Sequence, residues 1–181
     1  FWVHGEFMLV NGGKMSKSLG NTYTVSQLQE MGYDPLDFRY FCLNAHYHQK
    51  LNFTFEGMNG AKKSLHNLRT AVARHKDADG DIGNDVIAAF RQEFDDAVND
   101  DLNIPKALGI FWNAARYDVK SDKIYRLLVD MDRILGLDID RAPAEEAPVD
   151  TAEDASILER IEARTAAKKA KNYAEADRIR A

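Results

Sequence analysis

The sequence predicts a mainly α-helical protein, a helical bundle preceded by a short β edge. Three observations carry this. Apolar residues recur at helical spacing in four separate stripes between residues 56 and 140. Two strong helix-start signals precede them, Thr24 with Gln27 and Asp34 with Pro35. Ahead of both, FWVHGEFMLV is aromatic and β-branched and ends at Asn11-Gly12-Gly13, a turn signal.

Residues 1–10 therefore read as a strand or strand pair. Thr24 and Gln27 fit a capping box, in which each side chain satisfies the other's free backbone N–H. Val25, Leu28 and Met31 follow at helical spacing, and Gly32 ends that helix. Asp34 can accept from free N–H groups, and Pro35 fits a first turn where its missing donor is not needed. Leu36, Tyr40, Phe41 and Leu43 give the second helix its apolar stripe. Beyond residue 56 the stripes are Ala61, Leu65, Leu68 and Val72; then Val86, Phe90, Phe94 and Ala97, with Val98 alongside. Leu108, Phe111, Trp112 and Ala115 make the third. Ile124, Leu127, Leu128, Met131, Ile134 and Leu135 make the fourth. Each stripe needs a partner surface, so a bundle is the economical solution. HKDADGDIGND reads as a loop, residues 141–154 (RAPAEEAPVDTAED) as a linker, and 155–181 as a charged helix.

At 181 residues the chain can bury one good core, and its 45% hydrophobic and 29% charged content is that of a globular protein. No apolar run approaches the roughly 20 residues that span a bilayer, so no membrane partner is expected. Cys42 is the single cysteine, which excludes an internal disulfide and points to a reducing cytoplasm. The chain opens on FWV without methionine and stops at ADRIRA inside a helical pattern, so it is expected to be a piece of a longer protein. Its net charge of −5 is unevenly spread. Residues 1–76 carry 9 Lys+Arg against 5 Asp+Glu, a net +4, which leaves −9 for residues 77–181. A basic working end and an acidic, solvated remainder follow.

Within the basic end lies Gly12-Gly13-Lys14-Met15-Ser16-Lys17-Ser18-Leu19-Gly20-Asn21. Glycines let backbone N–H groups approach an anion, two ammonium groups three residues apart reach neighbouring phosphate oxygens, and serines add neutral donors. Nothing in the segment has an ordinary pKa suited to a general base near neutrality. It suits a polyphosphate and the charge that develops as a phosphate bond breaks. It is neither a Walker A loop nor a GxGxxG fingerprint. On composition alone, a solvated lysine-rich surface loop explains it as well.

KMSKSLGN resembles the KMSKS loop of class I aminoacyl-tRNA synthetases, and WVHGEFMLVNGGKMSKSLGN resembles the cysteinyl-tRNA synthetases in particular. YDPLDFRYFCLNAHYHQKLNFT, FDDAVNDDLNIPKAL and ARTAAKKAKNYAEADRIR resemble later stretches of that family, in the same order. The resemblance implies an anticodon-binding helical bundle of DALR type, preceded by the C-terminal edge of a Rossmann-type catalytic domain. Under it, residues 1–33 end the catalytic domain, 34–55 form a connecting helix and turn, and 56–140 form the tRNA-binding bundle. A linker follows at 141–154, then a truncated C-terminal helix at 155–181.

The implied activity is a cysteine--tRNA ligase. It would activate cysteine with ATP to cysteinyl-adenylate and pass the acyl group to tRNA(Cys), as a cytoplasmic monomer. Lys14 and Lys17 would act in catalysis by clamping the polyphosphate, and Ser16 and Ser18 would donate to the ATP phosphates or hold the loop. Arg164, Lys168, Lys169 and Lys171 form the best basic cluster for tRNA in the acidic half, the alternative being a solvated helix face. The family's HIGH-like sequence and its zinc ligands do not occur here, so the zinc of the whole enzyme would be held outside this chain, and the chain alone is expected to be inactive. His48 stands where arginine is usual, and Ile104 where threonine is usual. Two other functions compete: a paralogous ligase joining cysteine to an amino sugar, and a non-catalytic helical RNA-binding module.

The remaining candidates have plainer explanations. His46 and His48 lack further ligands for a metal. Trp2 and His4 share one face of the expected first strand, suiting core packing or an active-site floor. Cys42 falls in an apolar stripe and is expected to be buried and inert. Asp95, Asp96, Asp100 and Asp101 suit helix surface and capping, and Phe111 and Trp112 suit the core.

Overall fold

The computed structural model describes residues 2–142, with Lys17 described by its backbone alone. The expected linker and terminal helix, and with them Arg164, Lys168, Lys169 and Lys171, lie outside the described residues. Three short strands, β1 (Met8–Val10), β2 (Gly13–Lys14) and β3 (Leu51–Phe53), form a sheet in the order β2-β1-β3. The helices are α1 (Val25–Glu30), α2 (Pro35–Leu43), α3 (Phe55–Ala73), α4 (Asn84–Asn99), α5 (Ile104–Ala115) and α6 (Asp122–Leu135). The mainly helical class with a small β edge is as the sequence predicts.

The first strand is shorter than expected. Only Met8–Val10 pairs, and residues 2–7 have no regular structure. β1 runs antiparallel to β2, with Leu9 opposite Lys14. It runs parallel to β3, with Val10 opposite Phe53. Trp2 and His4 consequently share no strand face. Their rings stack on each other 6.3 Å apart, and Trp2 is 91% exposed, so neither packs into the core.

Both sequence-level helix starts are present with their hydrogen bonds. Thr24 and Gln27 form a full capping box on α1. Asp34 caps α2 by accepting from Leu36 N–H at 2.8 Å, while Asp37 reaches back to the Asp34 N–H at 2.9 Å. Burial works to raise Asp34, but the Leu36 amide and Arg141, 2.9 Å away, outweigh it and hold its carboxyl below the usual range. Burial pushes Asp37 the other way, upward.

α2 packs on α3, α4 packs on α5 and α6, and α5 joins the two groups by touching α2 and α3. The predicted stripes meet there. Met58, Leu65, Leu68, Phe94, Phe111, Ile124, Leu128, Met131 and Leu135 are fully buried. The cluster continues without a break to Val10 and Phe53, so the β edge and the bundle share one core. Ile134 departs from its stripe. It is 46% exposed because α6 turns that side away from α4 and α5, placing Met131 and Leu135 inward. Cys42 is half-buried rather than buried.

Two polar anchors were not evident from periodicity. Gly136 ends α6 in the left-handed conformation at φ +62°, and the carbonyls on either side of it are gathered by arginines. Arg39 Nε donates to Leu135 O at 2.6 Å, and buried Arg69 donates to Leu137 O at 2.8 Å and to Asp138 O at 3.2 Å. Asp132 accepts the Leu137 and Ile139 amides. The polar loop after α3 is likewise pinned, by fully buried His75 and by Ile82.

Candidate polyphosphate loop

The lysine loop is held at both ends and exposed between them. Its entry is a two-residue hairpin turn. Asn11 (φ +49°) and Gly12 (φ +76°) both take positive φ, as the twist-matched turn between β1 and β2 requires. Gly12 N–H donates to Asn52 Oδ1 at 2.7 Å and Asn11 N–H to Phe53 O at 3.0 Å, tying the turn to β3. Lys14 lies on β2 with its side chain in solvent.

Past Lys14, Met15 folds partly onto the core and Lys17–Leu19 make one 3-10 turn, closed by Leu19 N–H to Ser16 O at 3.2 Å. Gly20 takes φ +64° and reverses the chain. Asn21 then reaches back across the loop. Its Oδ1 accepts from Ser16 N–H at 2.8 Å, and its Nδ2 donates to Lys14 O at 3.0 Å. The exit is fixed by an aromatic cluster. Tyr23 packs on Phe53 (5.5 Å) and edge-on to Phe55 (5.2 Å), and Phe53 meets Phe41 edge-on at 5.8 Å.

Ser16 Oγ and Ser18 Oγ lie 2.7 Å apart. In such a pair one hydroxyl donates to the other, so one O–H remains to be offered outward. Ser16 and Ser18 are thus brought together, and Lys14 lies on the same loop, whose tip is open to solvent, Leu19 being 68% exposed. The arrangement suits binding a polyanion through charge and hydroxyl donors. Sequence reasoning gave Asn21 no role, although an asparagine after a chain-reversing glycine is a side chain able to imitate backbone pairing.

A second polar cluster lies where the segment between α2 and β3 meets the α4–α5 turn. Tyr47 OH donates to Asp101 Oδ1 at 2.6 Å, His48 Nε2 lies 3.4 Å from Asp101 Oδ2, and His46 Nε2 lies 2.9 Å from the Asp101 carbonyl. The hydrogen bond to the Asp101 carboxylate holds the Tyr47 phenol above its ordinary pKa. Asp101 therefore makes a tertiary contact in addition to ending a helix. A cavity of about 410 Å³ adjoins this cluster, lined by Met8, Cys42, Leu43, Leu51, Leu102 and Ile104 among others.

The zinc that the resemblance implies does not fit the residues here. Among the described residues no three His, Cys, Asp or Glu side chains converge on a point that could hold a metal. Burial pushes the Cys42 thiol up, away from the thiolate that zinc requires. Among the described residues no helix is long and apolar enough to cross a membrane.

Comparison with known proteins is consistent along the chain. Residues 1–63 match the family described as tRNA synthetases class I (C) catalytic domain. The chain is 36% identical over 181 residues to Cysteine--tRNA ligase 1 of Burkholderia lata, an alignment covering 99% of this chain and 37% of that protein. It is 38% identical over 190 residues to the cysteine--tRNA ligase of Janthinobacterium sp., covering 100% of this chain and 40% of that one. The cysteine--tRNA ligase of Chlamydia muridarum is 35% identical over 205 residues, with 99% and 42% covered. The chain thus spans about two fifths of the length of these relatives, and the relationship extends over both the β edge and the bundle.

Proposed function

We propose that this chain is part of a cysteine--tRNA ligase, a class I aminoacyl-tRNA synthetase, and supplies its KMSKS loop together with helices that contact tRNA. The observation that carries this reading is the similarity to cysteine--tRNA ligases over 99% or more of the chain. In the whole enzyme, cysteine attacks the α-phosphorus of ATP through its carboxylate, giving cysteinyl-adenylate and pyrophosphate. A ribose hydroxyl of the terminal adenosine of tRNA(Cys) then attacks the acyl carbon, forming the ester and releasing AMP.

Lys14 and Lys17 neutralise the charge that grows on the departing pyrophosphate, a task in which preorganised cations act most strongly in the transition state. Ser16 and Ser18 contribute the hydroxyl donor left over from their mutual hydrogen bond. Gly12 and Gly20, both at positive φ, sit at the two bends about which such a loop would close and open. Residues 1–33 complete the catalytic domain. Residues 34–55 connect it to the bundle at 56–140, which faces tRNA with Arg164, Lys168, Lys169 and Lys171. The enzyme acts in the cytoplasm as a monomer, and its zinc is held by residues outside this chain.

The test is cysteine-dependent ATP–pyrophosphate exchange and charging of tRNA(Cys) by the whole protein that carries this sequence. Both are expected, and the 181-residue chain alone is expected to give neither. Exchange without tRNA charging overturns the tRNA ligase reading in favour of another cysteine ligase, and absence of both overturns it in favour of a non-catalytic module.

A further inference from the structure

We infer that Asn21 is the positioning residue of the lysine loop, setting the conformation in which its cations and hydroxyls meet a polyphosphate. This rests on the polyphosphate reading of the loop. The Asn21 amide spans the segment Lys14-Met15-Ser16 from the far side of the loop, accepting from Ser16 N–H at 2.8 Å and donating to Lys14 O at 3.0 Å. Only one orientation of the amide satisfies both partners, so the side chain fixes the path of the backbone and the spacing between Lys14 and the 3-10 turn at Lys17–Leu19. Gly20 at φ +64° delivers Asn21 to this place, and Tyr23 anchors the chain immediately after it.

Among the described residues no other side chain is seen to take over the task. The Ser16 and Ser18 hydroxyls bond to each other rather than to the Ser16 amide or the Lys14 carbonyl, and the 3-10 turn is closed by the Ser16 carbonyl, not by its amide. Without Asn21, the Ser16 N–H and the Lys14 C=O lose their cross-loop partner, and the entry and exit of the loop lose their direct tie. An aspartate at this position would keep the acceptor for Ser16 but turn a carboxylate oxygen toward the Lys14 carbonyl, adding negative charge where an anion is to bind.

The experiment uses the whole protein that carries this sequence, labelled with 15N, and inorganic tripolyphosphate as probe. In the unmodified chain the Ser16 amide exchanges slowly with solvent, and tripolyphosphate shifts the amides of residues 14–20. In Asn21→Ala, exchange at Ser16 accelerates and tripolyphosphate affinity falls, each by roughly tenfold, the size of one to two net hydrogen bonds. Asn21→Asp weakens affinity further than its effect on Ser16 exchange accounts for. Unchanged amides at Thr24–Gln27 identify variants in which the fold is intact. Unaltered Ser16 exchange in Asn21→Ala overturns the positioning role, and so does altered exchange with unaltered affinity, which makes Asn21 structural only. If tripolyphosphate leaves the unmodified loop unmoved, the polyphosphate reading itself fails and takes the inference with it.

Discussion

His75 accepts the Ser121 amide proton on Nδ1 at 3.2 Å, and its Nε2 lies 3.0 Å from the Ala115 carbonyl. The fully buried ring therefore carries its single proton on Nε2 and joins the ends of α3 and α5 to the start of α6. Burial lowers its pKa, nearby Lys120 does the same, and the Ala115 hydrogen bond only partly opposes them. The folded pKa is thus below the unfolded value near 6.5. The unfolded chain binds the extra proton first as pH falls, so this group's contribution is complete above about pH 6.5 and is lost as the pH drops through and below that value. Thermal midpoints are expected to decline from neutrality to mildly acidic pH, and His75→Gln is expected to flatten that decline. An unchanged slope in the variant would rule out His75 as its source.

Two glycines of α3 are expected to respond oppositely to alanine. A Cβ on Gly57 would meet Phe41 Cε2 at 2.9 Å and Thr54 Oγ1 at 3.1 Å, inside the aromatic cluster that anchors the lysine loop. A Cβ on Gly60 would meet nothing within 4 Å. Gly60→Ala should gain about 0.5–1 kcal/mol from helix propensity, whereas Gly57→Ala should lose about 1–3 kcal/mol to overpacking. Urea unfolding of the two variants decides this, and stabilisation by Gly57→Ala would mean that Phe41 yields freely.

Arg69 is expected to act through hydrogen bonds to backbone. It is buried, and it donates to the carbonyls of Leu137 and Asp138 beyond α6. Arg69→Met retains most of the apolar stem but strands both carbonyls, so a loss of about 1–3 kcal/mol is expected. Lysine, with its ammonium on a single stem, should restore only part of that loss. Wild-type stability in Arg69→Met, measured by denaturant midpoint, would show that water replaces the guanidinium without penalty.

These anchors mark the limit of what the sequence made legible. Helix starts were readable because Thr24/Gln27 and Asp34/Pro35 are local signals whose partners lie within three residues. The stripes of α3 to α6 were readable because burial follows a fixed period, and Ile134 failed only because a stripe does not say how wide the covered face is. Arg69 and His75 could not be read, since their partners lie 68 and 46 residues away. The same holds for Tyr47 and Asp101, 54 residues apart. In the lysine loop the chemistry was legible from residue types, whereas the closure by Asn21 depends on the left-handed Gly20 and on where the loop returns.

The loop lysines are expected to matter for rate more than for ground-state binding. Lys14 stands in solvent on β2, at the edge of a turn fixed to β3, so its removal should leave the fold unaltered. Under the proposed function, Lys14→Ala and Lys17→Ala in the whole protein are each expected to slow adenylate formation about 10²–10³-fold, the range for losing one preorganised electrostatic contact to a developing charge. The Michaelis constant for ATP should change far less, because the additional negative charge on the pyrophosphate appears only as the bond to the α-phosphorus breaks. Pre-steady-state formation of cysteinyl-adenylate across a range of ATP concentrations separates the two effects. A rise in that constant with an unchanged limiting rate would make the lysines binders of ground-state ATP. Unchanged pyrophosphate exchange in both variants would remove them from the reaction altogether.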